Sequence, residues 1–204
     1  MLFYEAVKRF FDIILSLLAM VILLPLYILL VILIRLDSKG AAVFKQERAG
    51  HEGKPFILYK FRTMRTDVDP FGASPNTSDD PRITKIGKLM RETSLDELPQ
   101  LLNVFCGHMS LVGPRPLYIS QMQEWNEYQK RRLEVKPGLT GLAQISGRGA
   151  LTIEQKLNLD VEYVDNRCFI LDCKIVLATL AQVITRKGIY EIRYSEKQRR
   201  RGEK

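Results

Sequence analysis

The stretch "VILLPLYILL" (residues 21–30) decides how this chain meets a membrane. It lies inside an uncharged run from Ile13 to Ile34, 22 residues long. A helix of that length rises about 33 Å, and a bilayer's hydrocarbon core is about 30 Å thick. Pro25, near the middle of the run, removes a backbone donor and crowds the preceding turn, and a freed carbonyl is costly in lipid. The run therefore reads either as a kinked span or as a helix–break–helix that enters the bilayer and returns. Lys8 and Arg9 precede it, and Arg35, Lys39, Lys45, Arg48 and Lys54 follow it. Basic residues favour the cytoplasmic side. A hairpin satisfies both clusters, whereas a span exports one of them. The second cluster is the larger, so a span with an outside N-terminus stays allowed. The run exceeds the 7–15 apolar residues or so of a signal sequence and has no small-residue cleavage site, so a retained anchor is expected.

The 204 residues suit such an anchor plus one compact domain, and 46% hydrophobic content supplies a core for both. A net charge of +8 favours anionic partners. With an anchor present, lipid headgroups and phosphorylated small molecules fit better than nucleic acid. Cys106, Cys168 and Cys173 are odd in number and lack a C-x-x-C, which reads as reduced structural thiols.

Beyond the anchor, "AVFKQERAGHEGKPFILYKFRTM" (42–64) predicts a β-hairpin around a Gly-containing turn. Its second strand puts Lys60 and Arg62 on one face, either a solvated cationic face or one turned to an anion. The Asp-, Pro- and Ser-rich segment 65–82 is a loop whose acids suit turns better than a metal. "ITKIGKLMRET" (83–93) reads as an amphipathic helix with Ile83, Ile86, Leu89 and Met90 on one face. Lys85, Lys88 and Arg91 lie on another, for a membrane surface or for water. "SQMQEWNEYQKRRLEV" (120–135) reads as a polar helix in which Trp125 and Tyr128 pack on one side. Helices follow over 152–166, carrying Asp160, and 168–186. In the last, Asp172, Thr179, Gln182 and Arg186 share a polar side.

Three segments bear on chemistry. In "SLDELPQLLNVFCG" (94–107), Pro99 fits only the first turn of a helix, so Asp96 is expected at the N-cap with Glu97 beside it. Adjacent acids there are commonly just capping residues, and a catalytic pair is the sharper reading. "GPRP" (113–116) stiffens the backbone around Arg115, as a turn or as a pre-placed guanidinium. "KPGLTGLAQISGRG" (136–149) is glycine-rich and ends near Arg148, but matches no nucleotide-binding fingerprint.

These motifs stand in a telling order. "KRFFDIILS…LLP", "YKFRTM", "SLDELPQLLNV", "GHMSLVGPRP", "KPGLTGLAQISGR", "LDVEYV" and "FILDCKI" run from about residue 5 to 185. In this the chain resembles the bacterial sugar transferases known as small monotopic phosphoglycosyl transferases. The resemblance implies an α+β, mainly helical fold: a re-entrant membrane helix–break–helix, a small β-hairpin and interfacial amphipathic helices. Its parts would be residues 1–36 in the membrane, a catalytic domain over 37–190 and a basic tail over 191–204. It also implies transfer of a sugar 1-phosphate from a UDP-sugar to undecaprenyl phosphate, releasing UMP. The setting would be the cytoplasmic face of a bacterial inner membrane, among anionic lipids, with downstream glycosyltransferases as further partners and no nucleic acid.

By the same resemblance Asp96 is the nucleophile and Glu97 helps hold Mg²⁺. Arg91, Arg115, Arg148 and Lys60 bind substrate phosphates. Asp160, and more weakly Asp172, support the metal or orient an arginine. The physical chemistry agrees, since Mg²⁺ is commonly held by one or two carboxylates plus substrate phosphates, and arginines bind phosphoryl oxygens bidentately. One departure concerns the membrane break. Many members carry Ser-Pro there and this chain has Leu24-Pro25, which leaves the sharpness of the bend open. The rival reading is a non-catalytic basic tether for acidic lipid or nucleic acid. It accounts for charge and anchor but not for an acidic pair among arginine motifs.

Overall fold

A computed structural model describes residues 2–68, 75 and 80–185. The basic tail, Arg186 and most of the tip of loop 65–82 lie outside the described residues. The chain opens with helix α1 (Leu2–Ile22) and helix α2 (Leu24–Asp37), bent by 62° at Leu23. Pro25 falls in the first turn of α2, where its missing donor costs nothing, and the bonds Leu23 N→Ala19 O and Tyr27 N→Leu23 O (both 2.9 Å) carry the chain round the corner. The bend is thus made without a serine at residue 24, and it centres one residue earlier than Leu24-Pro25. Among the described residues no single helix is long and apolar enough to cross a membrane, and the bent pair reaches that length and composition only when its two helices are taken together.

Both ends of this pair are fastened to one globular body. Near the start of α1, Arg9 donates to the Val104 and Phe105 carbonyls (2.7 Å each), and Asp12 accepts from Leu111 N (2.8 Å). Lys8 meets Asp172 at 2.5 Å. At the end of α2, Arg62 donates to the carbonyls of Ser38 (2.7 Å) and Lys39, satisfying groups the helix terminus leaves open. Asp37 accepts from Ile86 N (2.9 Å). Arg62 is buried, so the solvated reading of its strand face fails there. Between these fastenings Phe10, Leu18, Val21, Ile22, Leu24 and Ile28 are exposed.

The expected hairpin is β1 (Val43–Ala49) paired antiparallel with β2 (Pro55–Phe61). β2's other edge is occupied by Asn103, which accepts from Tyr59 N (3.1 Å) and donates to Ile57 O (2.7 Å). Asn103 belongs to α4 (Gln100–Phe105) and is fully buried. Helix α3 (Lys85–Thr93) docks where β2 ends. Gly87 makes that possible, because a Cβ there would meet Thr63 O at 2.1 Å. Leu30, Ile34, Phe61 and Met90 close the core between α2, the hairpin and α3. Met90 is fully buried but Leu89 is exposed, so the two do not share a face as the sequence suggested.

A second sheet was not anticipated. β3 (Ser110–Val112) and β4 (Gly138–Thr140) pair in parallel, and Gly138 approaches Gly113 so closely that a Cβ would lie 2.1 Å from its nitrogen. The expected single helix over 120–135 is instead a 3-10 turn (Ile119–Glu124), α5 (Glu127–Lys130) and a second 3-10 turn (Arg131–Glu134). Trp125 is extended, and Asn126 restarts the helix through a capping box with Gln129. Trp125 is buried while Tyr128 is exposed. Helix α6 (Leu142–Ser146) leads to α7 (Ile153–Asn166), capped by Thr152, and α8 (Phe169–Thr185).

The polar side of α8 faces the body. Thr179 pairs with Thr140 at 2.6 Å and Gln182 donates to Ile145 O at 2.8 Å. Its outward face carries exposed Phe169, Ile170, Leu177 and Leu180, the reverse of a water-facing helix.

Candidate active site

The acidic pair owes its placement to one strained residue. Ser94 ends α3 at φ 58°, a left-handed conformation uncommon outside glycine, and redirects the chain into a 3-10 turn, Leu95–Glu97. Asp96 is therefore not the N-cap of the following helix. Pro99 is, one turn later, and the tight turn between them aims both acids at β2. Tyr27 of α2 donates to the Leu98 carbonyl at 2.5 Å, tying the same turn to the bent helix pair.

Two cations converge on Glu97. Lys60 Nζ lies 3.0 Å and Arg115 Nη2 2.6 Å from the same oxygen, Oε1. Burial would raise the Glu97 carboxyl, but Arg115 and Lys60 outweigh it and hold the group well below the usual carboxylate range. Asp96 receives no hydrogen bond from any described residue. Burial raises its carboxyl to about 6, and the charge of Glu97 adds to this, against Lys60, Arg91 and Arg115. The neighbours are thus driven apart, one firmly ionised and one held at higher energy. Arg91 is braced by its Nε→Thr63 Oγ1 bond (2.9 Å).

Behind Arg115 stands a buried ion pair. Arg132 donates Nε and Nη2 to Asp160 Oδ2 (3.0 and 2.8 Å), gives Nη2 to the Arg115 carbonyl (2.5 Å) and stacks 4.8 Å from the Trp125 ring centroid. Burial raises the Asp160 carboxyl to about 6, against the pull of Arg132. Asp160 thus orients an arginine, Arg132, which lies in the segment expected from the sequence only as a polar helix. Asp172 lies elsewhere. It accepts from Tyr4 (2.8 Å) and Tyr163 (2.7 Å) besides Lys8, fastening α1 to α8. The side chain of Arg148 lies outside the described residues.

A Mg²⁺ ion fits this donor set. Both cations on Glu97 use Oε1, and no described residue bonds Oε2. One or two carboxylate oxygens are what the ion takes when phosphates and water complete its shell. Among the described residues no cluster of three or more acids, histidines or cysteines forms an all-protein cage.

The sequence pattern of a family described as "Bacterial sugar transferase" matches residues 3–186. The chain is 46% identical over 184 residues to the "Uncharacterized sugar transferase EpsL" of Bacillus subtilis, covering 90% of each protein. It is 45% identical over 193 residues to the "Galactosyl transferase CpsE" of Streptococcus agalactiae, covering 89% of this chain and 43% of that one. It is 38% identical over 191 residues to a "UDP-glucose:undecaprenyl-phosphate glucose-1-phosphate transferase" of Escherichia coli, covering 90% of this chain and 41% of that one. It therefore spans less than half of the two longer relatives.

Proposed function

The chain belongs to the bacterial sugar transferase family, and we propose that it moves a sugar 1-phosphate from a UDP-sugar to undecaprenyl phosphate in two steps. The observation that carries this reading is the asymmetric acid pair: Glu97 held by Lys60 and Arg115, and Asp96 beside it with no described hydrogen-bond donor. In the first step an Asp96 carboxylate oxygen attacks the sugar-bearing phosphorus. The O–P bond forms, the bridging P–O bond breaks, and its electron pair leaves on UMP. No proton moves, because the nucleophile is already ionised. In the second step a phosphate oxygen of the lipid attacks the same phosphorus and returns the Asp96 carboxylate. A covalent intermediate lets a soluble donor and a membrane acceptor react in turn.

The cations serve charge. Lys60, Arg91 and Arg115 meet phosphoryl oxygens whose charge grows as the bridging bond breaks. Glu97 would be the residue to hold Mg²⁺. When bound, the ion would supply neutralisation of the diphosphate charge.

The membrane setting rests on the fold. Both ends of the α1–α2 pair are fastened to one body, which favours a re-entrant path over a span. After Asp12 the remaining ten residues of α1 rise about 15 Å, half a hydrocarbon core. The exposed apolar face of α8 suits the same interface. With the acid pair tied to α2 by Tyr27, the reaction sits at the cytoplasmic surface of a bacterial inner membrane, where UDP-sugars meet a lipid phosphate. A panel of UDP-sugars, glucose and galactose first, assayed for UMP release with and without undecaprenyl phosphate tests the reading.

A further inference from the structure

Arg48 is an unexplained cation. Its guanidinium lies 3.6 Å above the Tyr118 ring centroid, and its Nη2 donates to Gln46 Oε1 at 2.5 Å. Gln46 Nε2 in turn reaches the Tyr118 hydroxyl at 3.4 Å. No described carboxylate pairs with Arg48, and its Nε is buried without an acceptor. A buried N–H without an acceptor on a half-exposed guanidinium is costly, and an anion from outside would satisfy the charge.

The fold says where that anion lies. In the β1–β2 register Arg48 stands opposite Phe56 and Phe44 opposite Lys60, so Arg48 and Lys60 share one face of the hairpin. Four residues separate their rows, about 13 Å along the strand. Ala49 N donates to Leu117 O at 3.0 Å, laying the segment that carries Arg115 and Tyr118 along the end of β1. The field agrees: burial lowers Arg48 from its ordinary value, and Arg115 pushes the same way against Tyr118 and Glu97. Lys60, Arg115 and Arg48 thus form a row leading away from the acid pair, the first two bonded to Glu97 and the last bonded to no described carboxylate.

We propose that Arg48, held flat by Tyr118 and Gln46, is the binding site for the nucleoside monophosphate half of the donor, contacting the phosphate that leaves as UMP. This rests on the two-step reading above. That phosphate gains a negative charge when the bridging P–O bond breaks, and a cation without a carboxylate has its full charge available to it.

The test uses the full-length protein in detergent or nanodiscs, with UMP and uridine as probes. Arg48→Met is expected to weaken UMP binding about tenfold to a hundredfold, the range for a hydrogen bond to a charged group, and to raise KM for the UDP-sugar in parallel. Arg48→Lys is expected to fall between, and uridine binding to change less than twofold. Labelled sugar-phosphate protein, formed at saturating donor, is expected to transfer to undecaprenyl phosphate at the wild-type rate, because UMP has already left. UMP binding by Arg48→Met within twofold of wild type overturns the proposal. So does an equal loss for uridine, or an equal loss in the second step, which would mark a structural role. Wild-type protein that releases no UMP from any UDP-sugar would instead sink the two-step reading, while the UMP and uridine binding arms still decide on Arg48.

Discussion

The Tyr27 hydroxyl lies 2.5 Å from the Leu98 carbonyl oxygen, so the bent helix pair is bonded to the turn that carries Asp96 and Glu97. Leu26, Leu95 and Leu98 pack in the same hydrophobic cluster, but this hydrogen bond needs only a single atom to break. Tyr27→Phe is expected to lower stability by about 1 kcal/mol, the usual net value of a hydrogen bond, and Tm by about 2–4 °C. Turnover should fall several-fold while KM for the UDP-sugar stays near wild type, since the turn loosens but the cations remain. Thermal unfolding and steady-state UMP release check both.

Lys60 and Arg115 share one oxygen of Glu97, so they should not act independently. Lys60→Met and Arg115→Met are each expected to cost at least tenfold in kcat/KM. The double variant should cost less than the product, with a coupling of about 0.5–3 kcal/mol. A double-mutant cycle on initial rates measures it. Strict additivity would mean that the shared contact has no bearing on catalysis.

Asp96 should set the acid limb of the pH profile. Burial first of all pushes its carboxyl up to about 6, above the ordinary carboxylate value. In the proposed first step the ionised form attacks, so that rate should fall about tenfold per pH unit well below pH 6 and level off above it. Arg115→Met removes a cation that favours the ionised form and should move the midpoint upward. The stability consequence has the opposite sense. A carboxyl whose folded value is raised stabilises the fold in acid, and that contribution is lost as pH rises through about 6. Asp96→Asn should therefore melt a few degrees above wild type at pH 7.5, and the difference should vanish below about pH 4, near the ordinary Asp value.

Much of this site was legible in the sequence, for physical reasons that differ by residue. Pro99 announced that a helix starts beside the acids, and prolines on both sides of Arg115 announced a stiff segment. The hairpin declared itself through two apolar runs and a glycine turn, which fixes the face Lys60 takes. What could not be read was anything set by tertiary contact. Ser94 adopts a left-handed turn that no local signal demands, and so Asp96 leaves the cap position expected of it. Arg48 looked like one more flanking charge, and Arg132 lay unmarked within an expected polar helix that Trp125 in fact interrupts. The pairing of residues 110–112 with 138–140 depends on two glycines approaching across the fold.

The membrane path gives a prediction that separates proline from tether. Single cysteines at residues 3 and 40, with Cys106, Cys168 and Cys173 replaced by serine, are expected to react with an impermeant reagent from the same side. Pro25→Ala alone should leave that pattern unchanged, because Arg9 and Arg62 still bind both ends to one body. Opposite-side labelling of the otherwise native chain would restore the spanning reading.

The most direct test of the central claim is intact-protein mass spectrometry after incubation with a UDP-sugar and Mg²⁺ but no lipid acceptor. The account predicts a mass gain equal to one sugar phosphate, mapped to Asp96, formed together with one UMP and discharged by undecaprenyl phosphate. Asp96→Asn should show neither adduct nor UMP. An Asp96→Asn protein that kept full turnover, or wild-type turnover with no adduct at any time, would contradict it.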